Sequence, residues 1–197
     1  MRTSRLEAFS DGVLAIIITI MVLELRAPHG PTLAALSDSA RDFLTYLLSF
    51  VYIGIYWNNH HHMFHIVEHV SGLVLWANLH LLLWLSLFPF STSWLDTYGL
   101  ALTPTVVYGL NLLLAGTAYF LLQHAIFRTE GADSRLRRAL GNDLKGKLSP
   151  VLYLLGSGLA FVSTWLAMGL YTVVAVIWLV PDRRVERFIA EQERDRA

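Results

Sequence analysis

Long apolar runs constrain this chain more than any other feature of its sequence. Residues 6–25, 43–64, 73–94 and 105–127 each have the length, about 20 mostly apolar residues, that carries an α-helix across a bilayer. A fifth run, 148–180, has 33 residues. As one straight helix it would be about 50 Å long, against a hydrocarbon core of roughly 30 Å. It reads instead as two short helices, with a tight turn near Ala167 and Gly169. Pro181 then stops the last helix. The expectation is an all-α integral membrane bundle of six transmembrane helices per subunit, occupying residues 1–182. A charged cytoplasmic tail, 183–197, follows it.

Basic residues fix the orientation. With six helices both termini share one side. That side receives Arg2, Arg5, the cluster from Arg128 to Lys147, and the tail arginines from Arg183 to Arg196. The other side receives only Arg26 and Arg41. Lys and Arg concentrate on the cytoplasmic side of membrane proteins, so both termini are expected inside a cell-membrane protein. The first run lacks a small-residue cleavage site, and it reads as a retained helix rather than a signal peptide.

Composition agrees. The chain is 55% hydrophobic and only 15% charged, where a soluble domain usually carries about 25%. The formal net charge is zero, which gives no pull toward nucleic acid. The absence of cysteine removes disulfides, thiolate metal sites and cysteine nucleophiles together. No metalloprotease, serine-hydrolase or paired-aspartate signature is present, so no enzymatic role is expected.

The first run opens with Arg5, Phe9, Ser10 and Asp11 in the pattern R-x-x-x-F-S-D. Ser10 and Asp11 suit a helix cap, with Phe9 as a staple residue. Alternatively they are polar groups at a membrane boundary, where ionisable side chains need partners. At about 100° per residue Arg5 and Phe9 share a face, while Asp11 points elsewhere. Trp57, His60 and His61 in the second run and Asn78 in the third are candidate partners.

These residues carry a resemblance. The R-x-x-x-F-S-D start, the Trp57–Asn–Asn–His60–His61 stretch, Asn78 and the Leu87–Phe–Pro89–Phe segment resemble the transmembrane protein 175 family of potassium channels, across roughly the first half of the chain. The resemblance implies an interhelical network around the motif and a pore on the axis of an oligomer. The motif occurs once, and single-motif members look like homotetramers, so a tetramer is expected. It also implies that first helices line the pore. Ile16, Thr19, Ile20 and Leu23 lie within about a 100° arc of that helix. By alignment on the motif, Ile16 takes the narrowest position, and Ile20 and Leu23 lie further out. Thr19 offers the one hydroxyl on that arc. Glu24, at the outer end, either attracts cations as four copies or is simply an exposed helix-end carboxylate. The expected partners are other copies of the chain, the lipid bilayer and permeant K+. No cofactor and no resident metal are expected.

Two other patterns compete. Thr105-Val-Val-Tyr108-Gly109 looks like a potassium-channel filter, but Val107 replaces the glycine its backbone would need. The histidines are the stronger rival. His61, His65 and His69 repeat every four residues, flanked by His60, His62 and Glu68, and imidazoles at that spacing can chelate zinc. A zinc transporter or sensor is therefore the alternative reading.

Overall fold

The computed structural model describes residues 3–67, 69–131, 134–140 and 143–179, without the side chains of 139–140. The tail from Arg183 onward, together with Arg2, Glu68 and Pro181, lies outside the described residues. Every regular element among the described residues is helical. They are α1 (Thr3–Leu23), α2 (Leu33–Asp38), α3 (Ala40–Ile66), α4 (Gly72–Ser86), α5 (Phe88–Thr97), α6 (Leu102–Glu130), α7 (Arg135–Leu140), α8 (Leu144–Leu159) and α9 (Thr164–Leu179).

Length and composition single out three stretches able to cross a membrane: Thr3–Leu23, Gly72–Thr97 and Leu102–Glu130. Helix α3 has the length as well, at 27 residues, but carries the polar His/Asn segment at its end. Helices α8 and α9 have 16 residues each, roughly 24 Å at 1.5 Å per residue.

Local sequence explains the breaks. Pro89 cannot donate to the Leu85 carbonyl, and its ring crowds that turn. The third run therefore bends at Leu87, where α4 ends and α5 begins. Gly99 (φ +64°) supplies the left-handed turn between α5 and α6, under the Arg41 guanidinium, whose Nη1 would lie 3.1 Å from any added Cβ.

The turn in the fifth run is not at Ala167–Gly169. It falls at residues 160–163, and Ala167 is fully buried inside α9. Ala167 serves packing rather than turning. Gly156 lies against the ring of Tyr171, where an added Cβ would approach Cε1 to 2.5 Å. Gly109 meets the same ring at Cζ, also at 2.5 Å. Gly109 belongs to the filter-like stretch, which is ordinary α6 helix; the glycine is there to admit Tyr171.

Helix α6 packs on α4 and α8, α9 on α8, and α1 against α3, α4 and α5. The core between α3, α6, α8 and α9 is rich in tyrosine. Tyr52, Tyr108 and Tyr171 are fully buried, with Tyr52 donating to the Tyr171 carbonyl at 2.5 Å and the Tyr108 hydroxyl 3.0 Å from that of Ser49. In a bundle without surrounding water, each buried hydroxyl needs such a partner.

Contacts also define the two ends. At one, Ser93 donates to Glu24 at 3.0 Å, tying the end of α1 to α5. At the other, the Ser71 and Thr129 hydroxyls meet at 2.8 Å, and Arg137 stacks 5.1 Å from the Phe127 ring centroid.

Candidate functional site

Helix α1 has two unlike faces. Leu6, Ser10, Leu14, Ile17 and Met21 recur at the helical period and are buried against the bundle. The opposite face is bare. Ile16 is 60% exposed, Ile20 42% and Leu23 76%, and Thr19 is exposed beside them. Phe9 and Arg5 continue that face toward the N-terminus. The Thr19 hydroxyl donates to the Ala15 carbonyl at 2.8 Å, which leaves its oxygen lone pairs directed outward as acceptors.

The buried face is held by a polar chain. Asn78 of α4 donates its Nδ2 to the Ser10 Oγ at 2.9 Å, and Ser10 in turn donates to the Leu6 carbonyl at 2.9 Å. The Asn78 Oδ1 faces His60 Nε2 of α3 at 2.8 Å. The atom Asn78 turns to His60 is its carbonyl oxygen, which can only accept, so the histidine donates from Nε2. The chain therefore has one polarity, from α3 through α4 to the backbone of α1. All three side chains are nearly inaccessible: Ser10 0%, His60 2% and Asn78 2% exposed.

A second link lies nearer the surface. Trp57 donates its indole N–H to Asp11 Oδ1 at 3.0 Å, and the His61 ring stacks on Trp57 with an interplanar angle of 21°. Ser10, Asp11, Trp57, His60, His61 and Asn78 thus come together in one interhelical assembly. Arg5 and Phe9, the other two residues of the motif set, stand apart from it on the bare face, both exposed. The capping role for Ser10 and Asp11 is overturned, because α1 begins at Thr3 and both residues sit two turns inside it.

The histidine face is shorter than its spacing suggests. Helix α3 ends at Ile66 and Val67 is extended, so His69 leaves the face of His61 and His65. The His61 and His65 ring centroids are 6.2 Å apart, and no group of three His, Asp or Glu side chains among the described residues is placed to hold a metal ion.

Residues 5–89 match the family model described as endosomal/lysosomal potassium channel TMEM175. A potassium channel of Chryseobacterium sp. (strain P1-3) is 50% identical over 191 residues, covering 97% of this chain and 100% of its own length. A potassium channel of Chamaesiphon minutus is 31% identical over 188 residues, covering 88% of this chain and 92% of its own. The crystal structure of a lysosomal potassium-selective TMEM175 homolog from Chamaesiphon minutus aligns with a TM-score of 0.74 at 31% identity, over 90% of this chain and 96% of that one. The relatives bear the names of ion channels, not enzymes, and the chain belongs to the TMEM175 family of potassium channels.

Proposed function

We propose that the protein is a potassium-permeable channel whose constriction is made by the bare face of α1. The observation that carries this reading is the two-faced first helix. Its inner face is locked to α3 and α4, while Ile16, Thr19, Ile20 and Leu23 are left exposed. A polar pathway cannot be lined by one such chain, so the pore lies on the axis of an oligomer; the single occurrence of the motif, by resemblance to single-motif members of the family, makes it a homotetramer. There four copies of Ile16 form a narrow apolar ring. A ring of that kind gates by dewetting: when narrow it excludes water, and ions with it. The four Thr19 oxygens offer acceptors to a partly dehydrated cation. Glu24 stands at the outer end of the same helix, held by Ser93.

The membrane arrangement follows from six crossings: α1, α3, α4 with α5, α6, α8 and α9. The end of the bundle holding Ser71, Thr129 and Arg137 also carries the basic residues of α6, α7 and α8. By the positive-inside rule that end faces the cytoplasm, with both termini, in the cell membrane.

The test is cation flux through the purified protein in liposomes, with K+ and Na+ gradients applied in turn. K+ flux exceeding Na+ flux is expected. Absence of flux for both ions, in vesicles containing the folded oligomer, would refute the channel.

A further inference from the structure

An apolar groove of about 600 Å³ runs along the seam between α3 and α9. Leu44, Leu48 and Val51 form one wall, and Met168, Thr172 and Val176 form the other. Its volume lies in the range of small-molecule sites, about 300–1,000 Å³. At one end stand Arg41 and Trp165, the latter exposed. Tryptophan is enriched at that depth in membrane proteins, where an amphipathic ring meets the headgroups.

Arg41 also lines a second hollow, of about 280 Å³, which is polar. This hollow holds both signs of charge. Arg26 and Arg41 are its cations, the latter 3.4 Å from Asp42 Oδ1, and Glu24, Asp38, Asp42 and Asp96 its acids, with His29 beside them. An apolar groove that continues through one arginine into a hollow of mixed charge has the profile of an amphiphile. The tail side offers no polar group except the hydroxyls of Thr45 and Thr172, already donated to the Arg41 and Met168 carbonyls. The head side offers guanidinium for a phosphate and carboxylates for an ammonium.

On the reading that these helices span a bilayer, we propose that the groove and hollow together bind one aminophospholipid of the outer leaflet. An acyl chain lies between α3 and α9, the phosphate on Arg41 and Arg26, and the ammonium among the carboxylates. The mixed charge selects a zwitterion with N–H donors. A purely anionic headgroup would meet four carboxylates, and a trimethylated one would have no donor to give them.

The experiment is native mass spectrometry of the assembled protein in detergent, offered phosphatidylethanolamine and phosphatidylglycerol at equal concentration. Retention of phosphatidylethanolamine by about tenfold over phosphatidylglycerol is expected. Gly169 lines the groove and an added Cβ there meets open space, so Gly169→Phe should occupy part of the groove and lower retention by about tenfold. Equal retention of the two lipids, or none, overturns the proposal on the unaltered protein. So does an efficient disulfide between Leu44→Cys of one copy and Gly169→Cys of another, which would show a second copy covering the groove. The readout is lipid retention, so a protein that binds lipid but passes no ion separates this proposal from the channel reading.

Discussion

Asn78 of α4 and Ser10 of α1 are joined by a 2.9 Å hydrogen bond in which the amide donates, and this fixes the direction of every bond on either side of it. His60 must donate to Asn78, and Ser10 must donate back to its own helix. Asn78→Asp keeps the shape and the acceptor for His60 but removes the only donor to Ser10. It is expected to weaken the assembled protein by about 1–2 kcal/mol, read as a lower temperature of oligomer dissociation. An Asn78→Asp variant as stable as the parent would show that the chain does not run in this direction.

Trp57 and Asp11 form the outer link between α3 and α1. Asp11→Asn retains an oxygen acceptor for the indole, whereas Asp11→Ala removes it. The alanine variant should assemble poorly and the asparagine variant close to normally, by size-exclusion chromatography in detergent. A normal oligomer of Asp11→Ala carrying normal current would contradict the linking role.

How much of this was legible in the residues varies from place to place. Apolar runs locate α1, α3, α4, α5 and α6 within a few residues, because a membrane-length helix is written as a membrane-length run. The motif residues are legible as a set, yet not their pairing. Helical angles separate Arg5 from Asp11, but only packing decides that Asp11 meets Trp57 and Ser10 meets Asn78. The turn at 160–163 is misplaced by the sequence because glycine and alanine serve close packing as readily as turning, and Ala167 and Gly156 do the former. The Ser49–Tyr108 and Tyr52–Tyr171 bonds carry no sequence signal, since residues 59 and 119 positions apart share no period.

Gly109 and Tyr171 give a test of that packing. A Cβ at Gly109 would press on the buried Tyr171 ring and hydroxyl, so Gly109→Ala should destabilise the protein by about 1–3 kcal/mol. Removing the hydroxyl in Gly109→Ala/Tyr171→Phe should recover part of the loss. Gly158→Ala, where the added Cβ meets nothing within 4 Å, is the matched control and should unfold with the parent protein. Equal stability of the Gly109 and Gly158 variants would show that α6 and α9 do not approach this closely.

In the proposed channel, Ile16 is the residue on which the gate would depend. It lies mid-helix on the bare face, 60% exposed in one chain, while its neighbour Ile17 is buried at 3%. A polar side chain at Ile16 lowers the cost of keeping water in the narrowest ring, and the same change at Ile17 disturbs only the anchored face. Ile16→Asn should therefore raise cation leak by about tenfold or more, equivalent to roughly 1.4 kcal/mol off the barrier. It should do so without loss of the oligomer. Ile17→Asn should instead impair folding, because its amide would be buried without a partner. Flux assays on liposomes of matched protein content distinguish the two. Unchanged flux through a correctly assembled Ile16→Asn protein would remove this residue from the gate and move the constriction along the face toward Ile20 or Leu23.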